Sequence, residues 1–342
     1  MLFLFLSIIL LALFRLHYCR IGFHDNYLDK EQCSSIKGIF ILIVFLRHIL
    51  PYIQNAGYTM SSLPDQIFLF INQHIGQLLV TMFLFYSGYG VTESIKQKGQ
   101  TYINSFPKRR ILTTLINFDV AVLFFIFINI LLGIKMSASQ IALSFTCWES
   151  IGNSNWYIFV VILCYFITYI SYVISKKHFV LIAMVFSIIS VLALFYFKPT
   201  YWYDTLLCYP AGMMWSAKKE SIDLFVKKHY LAVLTSFLAV FVVLHIHFLP
   251  YAHGLTYNME SIFFSIIIVL ITMKARISNS ILTWLGIHLF PLYIYQRIPM
   301  IVFSKLFCGI LPSTYPYLYL VFCMGITYII AQNYRHWSLS LR

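Results

Sequence analysis

Charged residues are scarce in this sequence, and acidic residues are the scarcest. Of its 342 residues only 10% are Asp, Glu, Lys or Arg, against roughly 25% in an ordinary soluble domain. There are 11 acidic and 24 basic residues, so the formal net charge is +13. This composition excludes a soluble globular domain, a disordered chain and a coiled coil, because all three need many charged residues in contact with water.

Cysteine patterns that carry chemistry are also missing. The chain has 7 cysteines, but they are scattered, with no C-x-x-C pair and no Cys/His spacing typical of a zinc site. This excludes a small disulfide scaffold. Four cysteines fall in or at the ends of apolar runs, where we expect the thiol to act as a small apolar filler: Cys164, Cys208, Cys308 and Cys323.

Apolar residues make up 61% of the chain and aromatic residues 18%. A bilayer core about 30 Å thick is crossed by roughly 20 mostly apolar residues in a helix. The sequence therefore predicts an all-α integral membrane protein, a polytopic bundle of about 11 transmembrane helices. We divide it into an N-terminal anchor helix and linker (1–30) and a ten-helix membrane domain (31–335). The predicted spans are 2–18, 36–54, 75–92, 112–134, 156–175, 178–197, 201–217, 230–249, 257–274, 283–304 and 314–332.

Basic residues are distributed very unevenly between the two sets of gaps. Eighteen of the 24 lie in alternate gaps and the C-terminal tail, and the opposite gaps hold only Lys135, Lys198 and Lys305. Because Lys and Arg accumulate on the cytoplasmic side, we expect the N-terminus outside, the C-terminus in the cytoplasm, and a multi-pass protein of the bacterial cytoplasmic membrane. The positive charge is then explained by topology, and no nucleic-acid partner is expected.

Three ionisable side chains lie inside the second predicted span, where charge is costly and usually functional. Lys37 and His48 are eleven residues apart, so they share one helix face and are separated by about 16 Å along the axis. A cation near the cytoplasmic boundary can hold a phosphorylated donor, while a histidine deeper in the membrane handles a proton or an acyl group. The alternative is structural: Lys37 extends to the interface and His48 bonds a neighbouring helix. Arg47 points elsewhere and either pairs with an acid or binds an anion.

The Lys37-x10-His48 pattern in "IKGIFILIVFLRH" resembles the signature of the integral-membrane acyltransferase-3 family. Five further segments, in the right order, are similar to elements of that family: "MFLFYSGYGVTESI" (82–95), "FPKRRIL" (106–112), "NSNWYI" (153–158), "CYPAGMMWS" (208–216) and "LFPLYIYQRIPM" (289–300). The resemblance covers about residues 30–332. Ten spans remain when the first is set aside, and this matches the family's usual core.

The resemblance implies O-acyl transfer, usually of acetyl, from cytoplasmic acyl-CoA to a hydroxyl of a cell-envelope or exported polysaccharide or a lipid-linked sugar. His48 takes the position of the family's essential histidine, as catalytic base or acyl carrier, and Lys37 that of its basic partner. The chain departs from the family in its extra N-terminal span. It also reads Gln296-Arg297 where many members have a histidine, so a role for that second histidine does not carry over.

Further residues receive predicted roles around this centre. Together with Lys37, the basic cluster Lys108, Arg109 and Arg110 is expected to hold the phosphates of acyl-CoA, a co-substrate rather than a bound cofactor. Glu149 either accepts a proton or orients His48, or is a solvated loop acid. The residues predicted to contact substrate are Arg47, Ser87, Trp156, Gln296 and Arg297. Ser87 precedes Gly88 at a predicted close-packing point between helices, and Trp156 is a candidate to stack on a sugar or nucleotide.

Two acids inside predicted spans and three histidines complete the candidates. Either Asp119 or Glu260 is a plausible partner for Arg47 or Arg297, and the sequence does not choose between them. His245 and His247 lie about 200° apart on a helix, which is poor geometry for sharing one metal ion. We expect interfacial roles for them and for His253, and no metal.

A different class of function competes with acyl transfer. A transporter or flippase for an envelope glycan precursor could line an anion path with Lys37, Arg47 and Arg297. Transporters often contain inverted repeats with helices broken in corresponding places, and this sequence shows no such symmetry. Membrane lipid, acyl-CoA and a glycan acceptor are therefore the expected partners.

Overall fold

The computed structural model describes residues 1–248 and 253–338. It is 80% helical with almost no sheet. The helices are α1 (Leu2–Leu13), α2 (Lys30–Asn55), α3 (Leu63–Ile75), α4 (Leu78–Phe106), α5 (Thr113–Leu131), α6 (Ala138–Ser144), α7 (Trp156–Ile174), α8 (Phe179–Phe197), α9 (Cys208–Ala217), α10 (Lys219–Phe248), α11 (Leu255–Lys274), α12 (Ser280–Ile287), α13 (Leu289–Tyr295), α14 (Arg297–Leu306), α15 (Ile310–Thr314) and α16 (Pro316–Trp337). A π-helical turn (Pro107–Leu112) joins α4 to α5, and a 3₁₀ turn (Thr200–Trp202) precedes α9.

The prediction of an all-α protein with membrane-spanning helices is confirmed at this level. Within the described residues, 6 helical runs are long and apolar enough to cross a membrane: Lys30–Asn55, Leu63–Leu131, Trp156–Ile174, Phe179–Phe197, Lys219–Ile246 and Leu255–Lys274. The run Leu63–Leu131 contains α3, α4, the π-helical turn and α5. A count of about 11 crossings and the orientation stay predictions. The tail cation Arg342 lies outside the described residues.

The predicted first span, 2–18, is shorter than expected. Helix α1 has 12 residues, a length of about 18 Å, which is less than a bilayer core. Arg15 adopts a positive φ of 62° and turns the chain. Strand β1 (Leu16–Tyr18) then pairs antiparallel with β2 (Ala275–Ile277), with Leu16 opposite Ile277. The backbone groups of 16–18 are thus satisfied by a strand partner that follows α11, instead of by a longer helix.

Two other predicted spans are interrupted. Only Cys208–Ala217 of span 201–217 is α-helical. Span 283–304 is divided into α12, α13 and α14, with breaks at His288 and Gln296. Pro291 and Pro299 explain these breaks, because each lacks the N–H that would bond the carbonyl four residues earlier.

Helix α2 is at the centre of the bundle, where it packs against α1, α4, α12, α13, α14 and α15. Its contact with α12 is a direct approach of two backbones. A Cβ on Gly38 would lie 2.0 Å from the Leu282 carbonyl oxygen, and one on Gly286 would lie 1.8 Å from that of Ser34. Only glycine permits this separation. The ionisable residues of α2 are therefore held in the interior by a closely fixed helix pair.

Candidate functional site

Helix α2 carries Lys37, Arg47 and His48 on one uninterrupted helix, as the sequence predicts. Its first turn is capped by Asp29, whose side chain accepts a 2.7 Å hydrogen bond from the Gln32 backbone N–H. Pro51 lies inside the helix and has no N–H to bond the Arg47 carbonyl. The helix is therefore regular from Lys37 to His48 and loses one backbone bond directly beside the histidine.

His48 faces a cavity of about 290 Å³, which we call the His48 cavity. Segments that are far apart in the chain meet there. Residues that line it include Arg47, His48, Asn153, Ser154, Trp156, Tyr201, Tyr293 and Arg297. The sequence-predicted residues Arg47, His48, Trp156 and Arg297 are thus brought together. Gln296, predicted beside them, is fully buried and is a polar neighbour of the imidazole.

The loop between α6 and α7 forms one wall of the His48 cavity, and amide side chains hold it in shape. Asn129 donates to the Ile151 carbonyl at 2.8 Å and Asn155 to the Cys147 carbonyl at 2.8 Å. Ser150 donates to the Asn153 carbonyl at 2.7 Å. Because the loop backbone is bonded internally, Asn153, Ser154 and Trp156 are presented at defined positions.

Lys198 fastens the same loop from outside. Its ammonium donates to the Trp148 carbonyl at 2.6 Å and lies 3.9 Å and 4.4 Å from the ring centroids of Trp148 and Trp202. It also lies 3.4 Å from a carboxylate oxygen of Glu149. A cation enclosed by two indole rings and a carbonyl is a structural anchor.

The break between α13 and α14 forms the opposite wall. Gln296 is the residue at the break, and its side-chain amide donates to the Tyr293 carbonyl at 3.0 Å. The Tyr293 ring centroid is 5.9 Å from that of His48 and 4.9 Å from that of Tyr157. Arg297 follows directly as the first residue of α14. The helix break therefore places Gln296, Arg297 and Tyr293 around the imidazole.

The His48 cavity is rich in polar atoms that lack protein partners. Buried and without a hydrogen-bond partner are His48 Nδ1, Arg297 Nε and Asn153 Nδ2. The charged neighbours of His48 are Arg47 and Arg297, and among the described residues no Asp or Glu lines the cavity. Buried polar groups are nearly always hydrogen-bonded to protein or to water, so these atoms are available to bind a polar molecule that enters the cavity.

The predicted pairing of an arginine with a buried acid is wrong for the described residues. Arg47 donates instead to the Asn72 carbonyl at 2.7 Å, and no carboxylate forms an ion pair with Arg47 or Arg297 in the described part of the chain. Glu260 bonds His245 at 2.7 Å, and one oxygen of Asp119 is buried without a partner. The two guanidinium groups therefore keep their charge uncompensated at the cavity.

The acid predicted beside His48 lies elsewhere. Glu149 faces Lys198, its side chain is 42% exposed, and it does not line the His48 cavity. The loop bends so that Ser150, Asn153 and Ser154 face inward, whereas Glu149 does not. Proton transfer through Glu149 is therefore not supported by this geometry.

The residues predicted to hold the donor are separate from the His48 cavity. Lys37 is partly buried, lies outside the cavity lining, and interacts electrostatically with Cys33 and Lys30. Lys108, Arg109 and Arg110 are exposed on the π-helical turn, where Arg110 donates to the Tyr102 hydroxyl at 3.1 Å. That Lys37 and this cluster hold the donor together stays a prediction.

Ser87 also lies outside the cavity, at a helix contact. Its hydroxyl is 3.2 Å from that of Tyr165. A Cβ on Gly88 would lie 2.0 Å from the Tyr209 carbonyl oxygen, and one on Gly212 would lie 2.0 Å from that of Phe85. The predicted close-packing point is thus present between α4 and α9, and substrate contact by Ser87 has no support.

Sequence reasoning missed several residues of the site. Asn153, Ser154, Tyr201 and Tyr293 line the cavity but received no role, although three of them lie inside segments that resemble the acyltransferase family. The side chain of His247 lies outside the described residues. His245, for which an interfacial role is expected, bonds both Glu260 and His74, the latter at 3.0 Å.

Nothing matches this chain in comparisons with protein-family models, with curated proteins or with solved structures.

Proposed function

We propose that the chain is a membrane O-acyltransferase that moves an acyl group, expected to be acetyl, from acyl-CoA to a glycan hydroxyl. The observation that supports this most is the His48 cavity, where the buried imidazole has Arg47 and Arg297 as charged neighbours and no carboxylate lines the wall. The resemblance of the motifs to the acyltransferase-3 family supports the same function.

The proposed reaction needs a base and a site for developing negative charge. The acceptor hydroxyl attacks the thioester carbonyl, so that a C–O bond forms and the C–S bond breaks. The hydroxyl proton passes to His48 and then to the leaving sulfur, giving the acyl ester and the CoA thiol. In the covalent variant, His48 attacks first and carries the acyl group. Arg47 and Arg297 are the cations available to stabilise the oxyanion.

A row of aromatic contacts connects the basic turn with the residues beside His48. Arg110 bonds Tyr102, and the ring centroids of Tyr102 and Phe106 are 5.5 Å apart. The row continues from Phe106 to Tyr165 at 5.7 Å. Helix α7 carries both Tyr165 and Tyr157, and Tyr157 contacts the Tyr293 ring beside His48. The proposed donor phosphates lie on the basic turn and the thioester at the other end of this row.

Transfer is tested with labelled donor. Membranes that contain the intact chain and the source cell's envelope glycans are incubated with acetyl-CoA labelled in the acetyl group, and base-labile label in the glycan is measured. His48→Ala should reduce incorporation to background. His178→Ala is the matched control, because His178 is exposed at the start of α8.

The competing transporter function gives a different result. Deletion of the chain would then leave glycan acetylation unchanged, and the envelope glycan itself would be shortened or missing. Full incorporation by the His48→Ala variant would remove His48 from the mechanism.

A further inference from the structure

A second, larger cavity adjoins the His48 cavity. It has a volume of about 910 Å³, near the upper end of the roughly 300–1,000 Å³ typical of small-molecule sites. Its lining contains amides and hydroxyls from Asn55, Asn129, Gln140 and Ser304, and two cations, Lys135 and Lys305. Among the described residues no Asp or Glu lines it. The cavity therefore combines apolar walls with several polar groups and a positive charge.

The two cavities are neighbours, and three elements contribute to both. Ser150 lines each of them. Tyr52 of the larger cavity follows His48 by one helical turn, and Ile301 follows Arg297 by one turn, a step of about 6 Å along the axis. Arg297 is also a charged neighbour of Tyr52. The edge of the larger cavity at Tyr52 and Ile301 is therefore about one helical turn from His48 and Arg297.

The lysines of the larger cavity are exceptions to the charge distribution of the chain. Only Lys135, Lys198 and Lys305 lie in the gaps that face away from the predicted cytoplasmic side, which we call the lysine-poor gaps. Lys198 has an internal role, since it anchors the loop through Trp148, Trp202 and Glu149. The other two are exposed, line one cavity, and form no ion pair with any carboxylate of the described residues. Two like charges without an acidic partner indicate an anionic ligand.

We propose that the larger cavity binds the acceptor, and that this acceptor is an acidic glycan whose carboxylate or phosphate lies between Lys135 and Lys305. The substrate class depends on the proposed acyl transfer, whereas the anion-binding cavity does not. Amide and hydroxyl side chains bind the sugar hydroxyls, and the ester-forming hydroxyl extends towards His48. Carboxylate and phosphate bind the same cations, so the two sources are distinguished by experiment.

The test measures binding and transfer separately, with the full chain purified in detergent. Three fluorescent probes of comparable size are compared: tetragalacturonate, a glycerol-phosphate oligomer with four phosphates, and neutral maltotetraose. We expect the acidic probes to bind at least tenfold more tightly than maltotetraose and to weaken as salt rises. Preference between the two acidic probes identifies carboxylate or phosphate as the source.

Charge-matched variants assign the binding to the cavity. The double variant Lys135→Gln/Lys305→Gln should weaken acidic-probe binding by about tenfold for each lost cation and leave maltotetraose unchanged. The control is Lys176→Gln/Lys177→Gln, which removes the same charge from exposed residues between α7 and α8. Equal weakening by both double variants, or no preference of the native chain for acidic probes, would overturn the proposal.

Failure of this inference is distinguishable from failure of the proposed function. Acetyl transfer from acetyl-CoA to neutral glycan, without binding of acidic probes, would overturn the acidic-acceptor proposal alone. If acidic probes bind in a lysine-dependent way but no His48-dependent transfer occurs, the proposed acyltransferase function is wrong. The proposal of an anion-binding cavity would still stand.

Discussion

At the scale of single residues, a buried pair joins α10 to α11. Glu260 is 1% exposed, and one of its oxygens accepts a 2.7 Å hydrogen bond from His245 Nδ1. The other ring nitrogen of His245 is 3.0 Å from His74 Nδ1. These polar groups lie between apolar helices, so the carboxylate depends on His245 for its compensation.

Replacement of His245 tests this dependence. His245→Ala should lower the free energy of unfolding by about 3–5 kcal/mol, because it leaves a buried carboxylate without its partner. The measurement is equilibrium unfolding in detergent, followed by the fluorescence of the tryptophans. The double variant His245→Ala/Glu260→Gln should recover most of the loss, since the buried charge is gone. If the single variant unfolds like the native chain, the pair does not stabilise the fold.

Lys37 is expected to act on the donor and not on the chemical step. Lys37→Ala should raise the KM for acetyl-CoA by about tenfold or more, the cost of one charge-assisted contact to phosphate, with a smaller effect on kcat. Steady-state kinetics of acetyl transfer measures both constants. Lys98→Ala is the matched control, because Lys98 is exposed on α4. A fall in kcat at constant KM would instead show that Lys37 stabilises the transition state.

At the scale of elements, glycine determines which helices approach each other most closely. Gly88 faces the backbone of α9 and Gly212 faces the backbone of α4. The second pair, Gly38 with Leu282 and Gly286 with Ser34, joins α2 to α12 in the same reciprocal way. Helices α9 and α12 are too short to cross a bilayer, with 10 and 8 residues, and these backbone contacts hold them in the bundle.

A methyl group at one of these points should separate the helices. Gly88→Ala would place a Cβ 2.0 Å from the Tyr209 carbonyl oxygen, and we expect a loss of about 3 kcal/mol from this overpacking. Gly90→Ala on the same helix meets nothing within 4 Å and should be neutral or stabilising by up to about 1 kcal/mol. Thermal unfolding of both variants in detergent compares them directly. Equal midpoints would show that α9 shifts without cost.

At the scale of the whole molecule, the uneven distribution of lysine and arginine predicts which end of the bundle faces the cytoplasm. The lysine-poor end carries both cavities, because Ser150, Lys135 and Lys305 lie there. Among the cysteines, Cys308 is exposed at this end, Cys19 is partly exposed near the basic end, and the other five are buried. The chain therefore has a natural reporter of its orientation.

Thiol labelling of intact cells or spheroplasts measures this orientation. A membrane-impermeant maleimide should label the native chain at Cys308, and Cys308→Ser should remove most of the label. Lys177→Cys introduced into the Cys308→Ser variant should be labelled only after permeabilisation, because it lies in a lysine-rich gap. Labelling of Lys177→Cys from outside would show that the orientation is the opposite of the predicted one. The larger cavity would then face the cytoplasm.

Composition and periodicity were sufficient to predict the helical, membrane-spanning character and the single helix that carries Lys37 and His48. Both properties are local: an apolar run of about 20 residues requires the bilayer, and the helical repeat relates residues eleven apart. The Gly88 contact was also accessible, since a small residue in an apolar helix permits close approach. The helix breaks at His288 and Gln296 were missed, although Pro291 and Pro299 signalled them.

The tertiary structure decided which of the candidate residues line one cavity with His48. The cavity of His48 is lined by Arg47, Trp156 and Arg297, which come from segments more than a hundred residues apart. No local sequence pattern predicts that they lie together. In the folded chain, Glu149 likewise pairs with Lys198, and Glu260 pairs with His245. The physical reason is that sequence determines which polar groups must find partners inside an apolar bundle, whereas the packing of distant helices determines which partners they find.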